Sequence, residues 1–358
     1  MDPFAPPDET IGPAPAPPPA LPREYRLEFS ATAGDYFRVW IVNLALTIAT
    51  LGIYSAWAKV RRKRYFYERT RLDGDPFEYR GRPIAILKGR LVAVTVAGAF
   101  YVASHFYPMA LLGFFVLAVV GVPYLMVRSF AFNAASSAWR NVRFSFHGGY
   151  WRCLRIVVVY GLFTLFTAGL AYAFFKTRFT EFVVRNHAFG ATRFDVPDLK
   201  KPFFNAYGKL IGLGILATVA ISGLTFALLT ITHGKPQGSA WTYVFNAVNY
   251  LLYLGLFCYI RVRIVNHTWN NVTLGPIRFR STLAVRGMYK LYVTNILAIL
   301  CTAGLATPWA VVRTLRYRAE HTVVIAADDL AALRGADAPE VRATGEEVAE
   351  IFDMDFSL

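Results

Sequence analysis

Apolar residues gather in seven long runs, roughly 36–57, 88–106, 109–127, 151–175, 207–231, 241–263 and 289–312. Several approach or exceed the ~18–20 residues a helix needs to cross a bilayer. Between the runs lie short stretches in which apolar and polar residues alternate with a period of two, the pattern of a half-buried strand. These are YRLEFS at 25–30, FEYRG at 77–81, VRFSF at 142–146, ATRFDV at 191–196 and IRFRS at 277–281.

The pattern repeats along the chain. The stretch YFRVWIVNLALTIATLGIYSAWAKVRRKRY returns as YWRCLRIVVVYGLFTLFTAGLAYAFFKTRFTEF and as MYKLYVTNILAILCTAGLATPWAVVRTLRY. Each copy holds Thr-x-Gly: Thr50/Gly52, Thr167/Gly169 and Thr302/Gly304. An aromatic follows at Trp57, Phe174 or Trp309, then Arg61, Arg178 or Arg313, then Tyr65, Phe182 or Tyr317. Asn43 and Asn295 align, with Val157 between them in the middle copy. A second element joins Arg128 and Asn133 to Trp139, and Arg261 and Asn266 to Trp269. The expected division is a Pro-rich disordered tail over 1–23, repeat units over 24–141 and 142–276, a truncated third unit over 277–325 and an acidic tail over 326–358. The fold class this predicts is an α-helical polytopic membrane protein. Six to seven apolar helices fall in two and a third repeats, and the short strands form a small cytoplasmic cap.

Composition agrees with a membrane location. Of 358 residues, 55% are hydrophobic, and the mean hydropathy of +0.38 is too apolar for an ordinary soluble domain of this size. The net charge of +15 crowds the ends of the apolar runs, with five Lys or Arg among residues 59 to 64. That placement suits anchoring against anionic lipid, each cation near the surface contributing about 1 kcal/mol, better than nucleic-acid binding. Cys153, Cys258 and Cys301 all lie in apolar runs and imply no disulfide framework.

The loops near 104–108 and 232–240 are almost free of Lys and Arg, whereas 59–90, 128–155, 176–209 and 261–290 are dense in them. The positive-inside rule puts those two loops in the periplasm and the basic segments in the cytoplasm. The three Thr-x-Gly runs carry positive charge at both ends. Their length favours crossing, and their charge favours dipping in and returning. Gly at a left-handed helix end suits a break between two half-helices, and a small residue at a packing face suits a straight span.

The order YFRVWIVN…TLGIYSAWAKVRRKRYFYERTRLDGDPFEYRG…ILKGR, with NHTWNN and IRFRS later, resembles the YjgN-like bacterial inner-membrane proteins, a family built on a domain of unknown function. The resemblance covers roughly residues 24 to 325. It implies the bacterial cytoplasmic membrane, no established activity and no catalytic residues. The third copy departs from the pattern, since Pro308 precedes its Trp and no FEYRG-like strand follows.

No Walker loop, HExxH or Gly-x-Ser-x-Gly is present, and the six His are scattered, so neither an enzyme nor a cofactor or metal is expected. Candidate residues for a polar path or helix break are Asn43, Thr50, Gly52, Thr167, Gly169, Asn246, Asn249, Asn295, Thr302 and Gly304. Their structural alternative is interhelical hydrogen bonding. Candidate contacts for an anionic headgroup or solute are Arg61, Arg128, Arg155, Arg178, Arg261 and Arg313. The sequence therefore points to a transporter or channel-like protein for a small solute. The alternative is a non-transporting scaffold or lipid-binding protein with a cytoplasmic partner. Expected partners are a bilayer with anionic headgroups and a small solute, not nucleic acid; the number of copies in any assembly is open.

Overall fold

Ten short strands close into an antiparallel barrel in the computed structural model, which describes residues 22–107, 109–231 and 239–326. Both expected tails lie almost wholly outside the described residues, as do Pro108 and most of the loop near 232–240. The strands are β1 (Arg23–Phe29), β2 (Thr70–Leu72), β3 (Asp75–Tyr79), β4 (Ser137–Trp139), β5 (Val142–Phe146), β6 (His187–Phe189), β7 (Thr192–Asp195), β8 (Thr273–Leu274), β9 (Ile277–Ser281) and β10 (Thr322–Ala326). Each pairs with its neighbours in sequence. β1 closes the ring by dividing its length: Arg23–Arg26 pair with β10, and Leu27–Phe29 pair with β2.

The connections alternate. β2–β3, β4–β5, β6–β7 and β8–β9 are joined by two residues each: Asp73-Gly74, Arg140-Asn141, Gly190-Ala191 and Gly275-Pro276. Asp73, Gly74, Arg140 and Asn141 all have positive φ, as a tight hairpin compatible with strand twist requires. Every odd strand instead leads into helices. After β1 come α1 (Ala33–Ala49) and α2 (Ser55–Glu68), and after β3 come α3 (Pro83–Phe106) and α4 (Ala110–Ser136). After β5 come α5 (Tyr150–Arg155), a π-helical turn (Ile156–Tyr160), α6 (Gly161–Phe166) and α7 (Tyr172–Asn186). After β7 come α8 (Lys200–Ile231) and α9 (Ser239–Trp269), and after β9 come α10 (Val285–Cys301) and α11 (Thr307–Glu320). In an antiparallel ring all odd-to-even connections leave by one rim. All five helical inserts therefore hang from the same rim, and the tight turns and both strand ends leading to the tails occupy the other.

The barrel is filled. Leu27, Leu72, Phe77, Trp139, Phe189 and Val324 are among its buried inward residues. Their rings run in sequence across the interior, Phe77 on Trp139 at 6.3 Å, Trp139 on Phe189 at 6.0 Å and Phe189 on Phe144 at 4.9 Å. Tyr67 of α2 and Ala319 of α11 join this core from the helical rim.

This architecture corrects the expected fold class. The strands are a closed ten-stranded barrel, not a small cap on a helical polytopic protein. The strand-like runs in the sequence coincide with the odd strands; β2, β4, β6 and β8 are only two or three residues long, too short for alternation to register, and β10, TVVIA, does not alternate. Among the described residues, four helices are long and apolar enough to cross a membrane: α3, α4, α8 and α9. The other three apolar runs are helical hairpins, each bent at its Thr-x-Gly.

Each insert packs beside the next, so the helices form a ring below the barrel, α11 against α1, α2 against α3, α4 against α5, α7 against α8 and α9 against α10. Side chains fasten each insert to the start of the following one. Asn266 on α9 accepts from Ser281 Oγ (2.8 Å) and Leu283 N–H (3.2 Å) and donates to the Leu283 carbonyl (2.9 Å) at the start of α10. Replacing Asn266 with Ala strands the buried Ser281 hydroxyl. We expect a loss of about 2–3 kcal/mol in detergent-solubilised unfolding, against under ~0.5 kcal/mol for Asn246→Ala on the exposed face of α9.

Candidate functional site

The three Thr-x-Gly sequences build the same turn. In each, the threonine hydroxyl donates to the carbonyl four residues back: Leu46 (2.7 Å), Phe163 (2.8 Å) and Ala298 (2.7 Å). The same oxygen accepts from the N–H four residues ahead, Tyr54, Ala171 or Ala306, and so starts the second helix. The glycine N–H reaches back five residues to Thr47, Thr164 or Ile299, all at 2.8 Å, in the Schellman pattern. The glycine is left-handed as expected, and so is the residue before it: Leu51, Ala168 and Ala303 have φ of 49°, 49° and 48°. Gly52, Gly169 and Gly304 follow at 92°, 89° and 93°, where a Cβ is poorly tolerated.

These turns are the far tips of the hairpins. Leu51 is 95% exposed, and Phe166 and Leu300 are also exposed beside the tips. The hairpins expose large apolar residues, and the first and last each bury an asparagine among them. On α1 only Tyr36 and Asn43 are buried, while Ile41, Val42, Leu44 and Ile48 face outward. On α10 the buried Asn295 donates across the hairpin to the Ala310 carbonyl (3.3 Å) and Thr314 Oγ1 (3.1 Å). Asn43 is also buried, and its Oδ1 has no hydrogen-bond partner among the described residues. Asn249 donates to Phe245 of its own helix, and Asn246 is exposed. The ten polar-path candidates are spread over four of the five inserts, and the two that carry Asn43 and Asn295 are neighbours in the ring.

The six arginines divide. Arg61 and Arg155 are exposed, and Arg128 is exposed over the Tyr124 ring. Arg178 pairs with Glu181 at 3.1 Å. Arg313 donates to Thr294 and Asn295 and lies over the Trp309 ring. Arg261 is half-buried on α9.

Sequence reading missed the position three residues after Arg61, Arg178 and Arg313. Arg64 donates to the Gly81 carbonyl (3.4 Å), Arg316 donates to the Ala31 carbonyl (2.8 Å), and Glu181 accepts from Leu199 N–H (3.4 Å). All three fasten a hairpin to the start of the next insert. The signal was weak because the middle residue is an acid; the geometry conserves the contact while the charge changes sign. Lys63 was also missed. Its Nζ lies over the Tyr79 ring and donates to Asn133 Oδ1 at 2.9 Å, joining α2 to α4. Outside the ring, Arg64, Glu68, Glu78, Tyr79 and Arg80 line an open polar cleft of about 410 Å³. At the start of α8, the Lys200 N–H and ammonium hold the Asp198 carboxyl below the usual carboxylate range. Among the described residues no group of three or more His, Cys, Asp or Glu converges to hold a metal.

Comparison with known proteins agrees with this membrane-associated build. The family described as bacterial protein of unknown function (DUF898) matches residues 24–351. Inner membrane protein YjgN of Salmonella typhimurium is 23% identical over 84% of this chain and 88% of its own length. Inner membrane protein YjgN of Escherichia coli K12 is 25% identical over 87% and 92% respectively. No solved structure matches significantly.

Two substitutions test this geometry by thermal unfolding in detergent. Gly304→Ala forces a Cβ into left-handed backbone and should cost about 1–2 kcal/mol. Arg316→Gln removes a charged donor from the seam between the last and first inserts and should cost about 1.5–3 kcal/mol, while exposed Arg61→Gln should change stability by under ~0.5 kcal/mol.

Proposed function

We propose, for a chain that belongs to the bacterial family of unknown function DUF898, that it works at the cytoplasmic face of the inner membrane, binding anionic lipid and presenting a rigid β-barrel to the cytoplasm. In this reading α3, α4, α8 and α9 cross the bilayer, and the loops near 104–108 and 232–240 are periplasmic. The three Thr-x-Gly hairpins are copies of one unit and enter only the cytoplasmic leaflet.

The observation that carries the reading is one-sided connectivity: all five inserts leave and re-enter one rim of a barrel whose interior is packed. A packed barrel offers no route along its axis. Dimensions support the topology. Helices of 24 to 32 residues extend about 36–48 Å, more than the ~30 Å hydrocarbon layer. The arms of the α1–α2 hairpin have 17 and 14 residues, about 21–26 Å, and part of that length is polar. Their apolar tips and outward faces suit lipid, and exposed Arg61, Arg128 and Arg155 suit anionic headgroups.

Conduction of a small solute is the second reading. The buried Asn43 oxygen without a partner favours it, because such a group is costly unless something polar reaches it. In neither reading does the protein catalyse a chemical step.

Topology is tested by replacing Cys153, Cys258 and Cys301 with Ser and introducing single cysteines at Ser30, Ser104, Asp195 and Ser281. Intact spheroplasts are then treated with an impermeant maleimide. Only Ser104→Cys should label from outside. Outside labelling at 30, 195 or 281 would place that part of the barrel rim in the periplasm and overturn the reading.

A further inference from the structure

The outer face of the barrel is uneven in charge, and its basic side lies where the ring closes. The register sets which side chains meet there. Val324 and Ala326 belong to the barrel core, so Val323 and Ile325 point outward. Val323 sits opposite Arg26 on β1 and Arg280 on β9, and Ile325 sits opposite Glu24 and Arg278. Opposite residues share a face, and neighbouring strands are about 4.8 Å apart. Arg26, Arg278 and Arg280 are therefore exposed together on one flank, within two strand spacings. Arg280 is bound to Glu24 at 2.8 Å. Among the described residues Arg26 and Arg278 make no hydrogen bond or ion pair. Arg23, opposite Ala326 at the rim of the tight turns, is exposed and makes none either. Elsewhere around the barrel several cations do have acids. Arg71 is opposite Glu28, Arg80 binds Glu78 at 2.7 Å, Arg140 binds Asp73 at 2.8 Å and Arg185 meets Asp195 at 3.5 Å.

Exposed guanidiniums are hydrated, so nothing forces a counter-charge onto this flank, and proximity selects the occupant. The chain leaves β10 at Ala326, on the edge of the flank, and continues through residues 327–358, which hold nine Asp or Glu against two Arg. Its last stretch, EIFDMDFSL at 350–358, sets acids among Ile351, Phe352, Met354 and Phe356. That mixture matches in kind a flank where guanidiniums surround Ile325. Residues 1–21, which precede β1, carry only three acids. The 23 residues 327–349 extend to about 75 Å, so the last stretch reaches any part of the flank. A flexible tether also holds the segment at an effective concentration of roughly millimolar, an advantage over an untethered acidic partner.

We propose that the acidic segment 327–358 docks on the basic flank that Arg26, Arg278 and Arg280 form around Val323 and Ile325, and covers that side of the barrel within the same chain. The inference stands apart from the lipid-binding reading. It concerns the barrel's flank and holds whichever side of the membrane the barrel faces. Because the cations are exposed, the contact is electrostatic and weakens with salt. The segment is thus a removable cover over β9, β10 and β1.

The test measures the rate at which maleimide labels a single cysteine, Glu24→Cys, in the full chain purified in mild detergent with Cys153, Cys258 and Cys301 replaced by Ser. Glu24 lies on the flank, and losing its carboxylate leaves the flank more basic. Arg193→Cys on β7, away from the flank, is the control for folding. Glu24→Cys should label about fivefold faster in a chain ending at Ala327 than in the full chain, and the control should label equally in both. Glu350→Gln/Asp353→Asn/Asp355→Asn, which keeps the full length, should also speed labelling of Glu24→Cys. So should Arg26→Gln/Arg278→Gln, although removing cations beside a thiol disfavours the reactive thiolate; slower labelling there would mean a field effect without a cover and overturn the inference. In 1 M NaCl, where the Debye length is about 3 Å, the full and shortened chains should label alike. If they label alike at low salt, the segment does not cover the flank and the inference fails. If they label alike and added polyglutamate slows both, the flank suits a separate acidic partner and the assignment to this segment is overturned. Protection of the full chain that disappears on dilution would place the segment on a second copy and overturn the same-chain assignment.

Discussion

The pairing of β1 with β10 is the contact on which the rest depends. It joins residues almost three hundred positions apart and turns a row of hairpins into a ring. Once the ring closes, the direction of every strand is fixed, and with it the rim from which each insert leaves. The helices have no freedom to start on one side of the barrel and finish on the other. The side-chain seams below the barrel reinforce the same closure: Arg316 of the last insert holds the Ala31 carbonyl before the first.

Within that frame the first and last hairpins each bury an asparagine and leave large apolar residues exposed. In the last hairpin the buried Asn295 spends its hydrogen bonds on α11, while Ile296, Leu297 and Leu300 remain exposed. A water-soluble hairpin would bury the second set. The threonine hydroxyl at each tip serves both arms at once, which lets the chain reverse without leaving the polar backbone groups at the turn unpaired in an apolar setting.

The barrel has a different role from the large barrels that enclose channels. Its strands are short and its inward positions carry Phe, Trp and Leu, so side chains fill the space. The filled barrel carries four long helices with exposed apolar faces on one rim.

Much of this could be read from the residues. Apolar run length found the four long helices, because hydrophobic thickness is a local requirement. Thr-x-Gly located the three breaks, because the capping hydrogen bonds lie within nine residues of one another. Alternation located the odd strands. The sequence by itself thus determined where the chain bends, which parts suit lipid and where positive charge accumulates. Only the tertiary structure decided that the strands form a closed barrel, because strands of two or three residues have too few positions to show a period and gain their stability from neighbours brought by long helical detours. It also decided which side chains meet. Arg316 and the Ala31 carbonyl are 285 positions apart, and they become partners only when ring closure sets the last insert beside the first.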